Sequence, residues 1–281
     1  MTVRAGAGDG SALIVPALVL LVLGFLAPMV WFFVDSLAKV GTTSELLTFV
    51  TGLVGSKAML TALTTTNWIA LLVTLTVLVI SYPLAYYMAH HSGWRFMLVL
   101  FCIVVPYFTS IIVRTYAWMV LLGRKGLINQ ALMALGVIDE PLSMLYSKGA
   151  VLVGMVYVLM PYMVLTLYAT MKSIDPSFMR AARGLGAGAF YAFWRVYFPM
   201  SVHGVLSGAL IVYILAIGFF ITPALMGGPA DVMIAMLIER AVEITFDWSG
   251  AAVMSLVLLA ATLLLYTIYY RMTDVNRMMR A

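Results

Sequence analysis

Charge is what this sequence has least of. Asp, Glu, Lys and Arg make up 10% of its residues against 64% hydrophobic, and the mean hydropathy is +1.08. Soluble domains carry roughly 25% charged residues, so an aqueous globule is excluded and a lipid bilayer is the expected solvent. The single cysteine, Cys102, excludes an intramolecular disulfide framework; set in an apolar run, it reads as a small buried side chain. With only three histidines, the adjacent His90 and His91 lack a third ligand nearby for a metal site. No glycine–lysine phosphate loop, His-Glu-x-x-His or Gly-x-Ser-x-Gly elbow occurs. The chain therefore carries no visible energy source or catalytic constellation and reads as a non-enzyme. Its net charge of +5 is scattered between apolar runs, which is no nucleic-acid footprint.

Long apolar runs are present instead. A stretch of roughly 20 apolar residues crosses the hydrocarbon core as a helix. Six are read, at 12–34, 67–89, 96–122, 149–171, 201–225 and 248–270. The first runs into Trp31 and Asp35 with no small-residue cleavage site, so it reads as an uncleaved anchor. The expected fold is all-α: one polytopic domain over 1–281, six transmembrane helices, both termini on one side. Arg4, Arg95, Lys172, Arg180, Arg183, Arg195, Arg271, Arg277 and Arg280 fall on that side, with the acids Asp9, Asp175 and Asp274. The opposite loops hold Lys39, Lys57, Arg124, Lys125, Lys148, Arg240 and the remaining acids. This bias favours both termini inside. Pro16, Pro28, Pro83, Pro106, Pro161 and Pro223 interrupt the spans, and such breaks persist where neighbours or a water-lined path satisfy the freed carbonyls.

One block is polar. Residues 175–199 lie between the fourth and fifth spans and carry Arg180, Arg183 and Arg195. Asp175 before Pro176 reads as a helix start, and Gly186 as a stop with positive φ. Ala181 and Ala182 let another surface approach the backbone. A second helix, 190–198, is expected to end at Pro199 before the chain re-enters the bilayer. Composition alone also allows an amphipathic helix with arginines at lipid phosphates.

Ala181-Ala182, three residues, Gly186, nine residues and Val196-x-Phe198-Pro199 resemble the EAA loop of ABC importer permeases. Arg180 stands where that family usually has glutamate, so shape is expected to matter more here than an acidic contact. Ser81-Tyr-Pro-Leu-Ala-Tyr86, Ile112-Val-Arg-Thr-Tyr-Ala-Trp118, Gly126-Leu-Ile-Asn129, Met160-Pro-Tyr-Met163 and Leu225-Met-Gly-Gly-Pro229 are similar to permeases of spermidine/putrescine importers, more to the first of the two unlike subunits. The resemblance implies a type I ABC importer permease fold in a bacterial inner membrane. It also implies a second related permease subunit, two ATPase subunits using ATP and Mg, and a periplasmic substrate-binding protein. On this reading Asp175, Arg180, Ala181, Ala182, Arg183, Gly186, Val196, Phe198 and Pro199 form the ATPase-coupling loop. One alternative function is an ABC importer of another small polar solute; the other is a secondary transporter or channel working without an ATPase. It calls for intramembrane ionisable pairs, and the lone Arg114 fits it poorly.

Arg114 is the one charge deep in a span, where insertion costs about 2.5–3.5 kcal/mol at the centre. It reads as a pathway or gate residue held by a carboxylate or carbonyl, or as an arginine snorkelling outward. A bare cation there disfavours direct contact with a polyamine. Tyr107, Tyr116, Tyr162, Phe219 and Phe220 are candidate pathway linings, or helix packing. Glu239, Glu243 and Asp247 recur every fourth position, so on one helix they share a face. That face reads as a docking surface for the binding protein or as a solvated helix.

Overall fold

The computed structural model describes residues 11–278, with side chains described for 15–271. Arg4, Asp9 and Arg280 lie outside the described residues, as do the side chains of Asp274 and Arg277. Among the described residues every regular element is helical. In chain order they are α1 (Ser11–Leu21), α2 (Ala27–Ala38), α3 (Thr43–Val54), α4 (Lys57–His90), α5 (Trp94–Val104), α6 (Ile111–Leu122) and α7 (Leu127–Ala134). There follow α8 (Lys148–Lys172), α9 (Pro176–Gly184), α10 (Ala189–Ala192), α11 (Phe198–Ile217), α12 (Ile221–Met226), α13 (Ile234–Glu243) and α14 (Trp248–Met278).

Among the described residues five helices are long and apolar enough to cross a membrane, Val15–Ala38, α4, α8, Ala189–Ile217 and Trp248–Arg271, and a bent pair makes a sixth if it counts as one span. The expected third span, 96–122, is not continuous. Trp94–Phe108 and Ile111–Ala134 meet at 105°. Pro106 supplies no N–H, the chain tightens into a 3-10 turn at Val105–Phe108, and Thr109 is extended at ψ 151. At 1.5 Å per residue the first limb reaches only about 22 Å, short of a bilayer core.

The expected fifth span, 201–225, is also displaced. It runs from Ala189 to Ile217, and Ile221–Met226 is a separate short helix. Pro199 therefore does not break the chain. A π-helical turn, Phe193–Tyr197, precedes it, and Phe198 N donates to Phe193 O instead of to residue 194. The widened turn makes room for the proline ring, so helix direction survives. The same device recurs at Pro28, where the π-turn Val22–Leu26 ends with Ala27 N donating to Val22 O.

The core is the contact of α4, α8 and α11, with Val73, Val77, Met155, Met163, Leu167 and Val212 fully buried. Small residues let α8 close up on α11 and on α12, as membrane packing requires. A Cβ at Gly204 would stand 2.7 Å from Thr170 Cβ, and one at Gly154 would stand 2.5 Å from Thr222 Cγ2. Polar pairs cross the interfaces: Tyr82 Oη–Ser201 Oγ at 2.8 Å, Thr115–Thr222 at 3.2 Å, and Ile234 N donating to Thr66 Oγ1 at 2.9 Å. Val15–Ala38 is mostly exposed and leans on α14 near its end, where Ser36 is buried and Ser249 Oγ donates to Ser36 O at 2.6 Å. Cys102, expected to be buried, is exposed on α5 because that helix packs inward through Ile103.

Asn129 ties the α6–α7 corner to the segment before α8. Fully buried, it donates to Gly123 O (3.1 Å) and Leu142 O (2.9 Å) and accepts from Leu142 N (2.9 Å). Asn129→Ala removes both bonds to Leu142, while Gly123 O keeps its bond from Gly126 N (2.8 Å). A destabilisation of about 1–3 kcal/mol is expected, read as an earlier thermal transition in detergent.

Candidate functional site

The polar block folds as its composition suggests. Asp175 caps α9, its Oδ1 accepting from Ser177 N at 2.7 Å, and Pro176 takes the first helical position. That bond to the Ser177 N–H, with a smaller contribution from Arg180, holds the Asp175 carboxyl below its ordinary 3.8. The cap is thus fully present above that value and lost as pH falls through the lower folded one, far below neutral pH. At the other end Ala187 N donates to Ala182 O (3.1 Å) and Gly186 N to Arg183 O (3.0 Å). This nested pair is a Schellman stop, and it requires the φ of +88° found at Gly186.

Beyond the stop, α10 turns back and a groove of about 470 Å³ opens, lined by Ala182, Leu185, Gly186, Tyr191, Ala192 and Val196. Leu185 is 90% exposed and Phe190 78%, with Phe178, Tyr191 and Trp194 also exposed. Arg195 lies over the Tyr191 ring at 5.9 Å, and Arg180 and Arg183 are exposed without an ion pair among the described residues. Large apolar side chains around a small-residue groove form a surface suited to another protein. Of the coupling-loop residues expected from sequence, the structure places Ala182, Gly186 and Val196 in the groove wall. Asp175 holds the helix start; Phe198 and Pro199 lie in the continuing helix instead.

A feature the sequence reading missed connects this surface to the core. Tyr86 meets Tyr197 at 5.1 Å and Phe193 at 5.7 Å, and Tyr82 meets Phe193 at 6.2 Å. His90 packs on Tyr86 at 4.2 Å and on Tyr197 at 5.4 Å. The exposed block is thereby clamped to the end of α4 by aromatic contacts, each worth about 0.5–1.5 kcal/mol. The signal was present as Tyr82 and Tyr86, one helical turn apart, but nothing in sequence showed their partner.

A second site lies against the bend. Tyr107, Ile111, Arg114, Val158, Tyr162 and Phe219 line a cavity of about 270 Å³, with Leu159 and Leu215 completing it. Tyr107 Oη and Tyr162 Oη are 2.6 Å apart, and the rings meet edge-on at 5.7 Å. The Arg114 guanidinium carbon sits 5.7 Å from the Tyr107 ring centroid, and its Nε is buried with no hydrogen-bond partner. The expected carboxylate or carbonyl anchor is absent: the sole ion pair among the described residues is Lys39–Asp35. Tyr116 and Phe220 are not in this wall. Tyr116 faces outward on α6, and Phe220 lies in the break between α11 and α12.

The acidic trio does not share a face. Glu239 and Glu243 lie on α13, but that helix ends there. The chain turns through Phe246 at φ 52°, and Asp247 caps α14, its Oδ1 accepting from Gly250 N at 2.8 Å. Asp231 was missed altogether. It is 3% exposed, its Oδ2 accepts from Gly228 N at 3.0 Å, and it explains the tight Gly227-Gly228 loop. No group of three or more metal-ligand side chains gathers among the described residues.

Comparison with known proteins places the chain among transport permeases. Over 202 residues the chain is 36% identical to the spermidine/putrescine transport system permease protein PotB of Salmonella typhimurium (strain SL1344), covering 72% of this chain and 70% of that one. It is 35% identical to the PotB of Escherichia coli (strain K12), covering 72% and 74%. A crystal structure of a bacterial ABC transporter involved in import of the acidic polysaccharide alginate superposes with a TM-score of 0.74. The identity is 16%, with 94% of each chain covered, so this likeness speaks for the fold alone. Residues 81–276 match the model of the binding-protein-dependent transport system inner membrane component, and the chain belongs to that family of ABC importer permeases, multi-pass proteins of the inner membrane.

Proposed function

We propose that this permease works as one half of a heteromeric importer for a small amine-bearing solute, with polyamines such as putrescine and spermidine the first to test. The capped, Schellman-stopped helix α9 and its apolar groove carry this reading. They give a cytoplasmic ATPase subunit a rigid, small-residue surface to grip. Two such ATPases would bind the ATP and Mg, a periplasmic binding protein would deliver the solute, and a second related permease would complete the pathway. The exposed apolar flank of Val15–Ala38 suits lipid or that second permease. Both termini and residues 175–199 then face the cytoplasm, and Glu239 and Glu243 lie on the periplasmic side within reach of the binding protein.

In this scheme ATP-driven closure of the ATPase pair moves α9 and α10. The Tyr82–Tyr86–Tyr197 clamp transmits the motion to α4, and the spans switch between two packings. The cavity at Tyr107, Arg114, Tyr162 and Phe219 lies on the solute's path. The polyamine assignment is supported by the names of the two PotB relatives. A thermal-shift screen of the cognate binding protein against putrescine, spermidine and other small polar solutes tests it. A shift with a polyamine is expected; a shift with a sugar or an inorganic anion alone would remove the polyamine assignment.

A further inference from the structure

The cavity beside the 105° bend holds a cation with nothing to neutralise it. Arg114 has no carboxylate partner among the described residues, and its buried Nε makes no hydrogen bond. Its one described anchor is the face of Tyr107. A structural arginine in a membrane helix pairs with a carboxylate or carbonyl; this one rests on a ring. We propose that Arg114 is a tethered plug. At rest its guanidinium occupies the aromatic seat that an ammonium group of the solute takes during transport. The inference rests on the amine-importer reading above.

Three features fit one another. An aromatic face attracts an alkylammonium and a guanidinium alike, so the two compete for Tyr107. With Arg114 withdrawn, the bonded Tyr107 and Tyr162 hydroxyls offer acceptors. Ile111, Val158 and Leu159 then line an apolar channel for the methylenes between two amines. The bend lies just ahead of α6, so reorientation of that helix carries Arg114 off the ring. With the plug seated, its charge also guards the membrane. A monovalent cation about 6 Å away, at an effective dielectric near 20, meets a repulsion that lowers its occupancy on the order of 100-fold. Protons and potassium are thus kept out while the transporter is idle.

The test uses proteoliposomes holding this chain with its partner subunits. Resting potassium efflux is followed with a selective electrode, and putrescine uptake is measured with ATP. For Arg114→Gln the expected result is an efflux increase of about 10-fold or more and a fall of about 3- to 10-fold in half-saturating putrescine. Arg114→Lys restores most of the seal. Tyr107→Leu removes the seat, so efflux rises while half-saturating putrescine also rises. Efflux equal to wild type in both Arg114→Gln and Tyr107→Leu overturns the plug, as does a weakening of putrescine uptake by Arg114→Gln as large as that of Tyr107→Leu. If Arg114→Gln fails to assemble, the Tyr107→Leu efflux decides. Putrescine uptake that continues without ATP would sink the importer reading itself and leaves the efflux comparison to judge the plug.

Discussion

Gly186→Val is expected to strip the proposed ATPase partner from the complex. Gly186 sits at φ +88°, a region that costs an L-residue roughly 1–2 kcal/mol and a β-branched one more. Space is not the difficulty, since a Cβ there meets no atom within 4 Å. The damage is conformational. To relieve the strain the chain must give up the bonds from Gly186 N to Arg183 O and from Ala187 N to Ala182 O. Helix α9 then frays at the end that lines the groove, and Leu185 loses its fixed position. Copurified ATPase is expected to fall at least about tenfold, with uptake falling in parallel, because roughly 1.4 kcal/mol of misfit is a factor of ten in association. The bundle should melt at nearly the wild-type temperature, since Gly186 is remote from the buried core. Gly186→Asn, which tolerates the left-handed region, should retain much of the binding. Quantified bands after affinity purification decide the matter. Full retention by the valine variant contradicts a shape-dependent grip.

Gly204→Val is expected to fail by a different route, through the core. Even a single methyl at Gly204 would stand 2.7 Å from both Cβ and Oγ1 of Thr170, atoms too near the α8 backbone to swing away. Glycine-to-alanine in a helix would by itself gain about 1 kcal/mol. Overpacking a close interface costs about 1–3 kcal/mol, and a β-branched side chain lies at or above the upper end. Helices α8 and α11 must therefore separate. Gly208 provides the internal comparison. A Cβ there also comes within 2.7 Å of a neighbour, but the neighbour is Met163 Sδ, in a flexible side chain that can yield. Gly208→Ala should cost little, and Gly204→Val should leave little folded protein in mild detergent. Equal thermal stability of the two variants would show that the α8–α11 contact is looser than these distances state.

Much of this was legible in the sequence, and the limits have physical causes. Hydropathy alone located the spans, because each must be apolar for most of its length. It could not show the 105° bend, since an apolar run reads the same whether straight or folded back, and Pro106 looks like Pro83 or Pro161, which sit inside helices. Pro199 misled in the opposite sense, because a π-turn absorbed it and no residue pattern announces one. The cap at Asp175 and stop at Gly186 were readable because both act through local backbone geometry. Tyr107, Arg114, Tyr162 and Phe219 were all singled out, but their meeting in one cavity depends on three helices and the bend. Asp247 was misplaced by a periodicity that holds only while a helix continues. Asp231 was invisible, because a buried loop carboxylate looks like any other loop acid.

The central claim is that this chain moves solute only when an ATPase grips residues 175–199. It is tested most directly by ATP-dependent uptake of radiolabelled putrescine into proteoliposomes reconstituted from this chain, its partner permease and the binding protein, with and without the ATPase subunits. The account predicts accumulation only with both ATPase and ATP, and none when Gly186→Val replaces the wild type. Accumulation without the ATPase, or undiminished in the Gly186→Val variant, would contradict it.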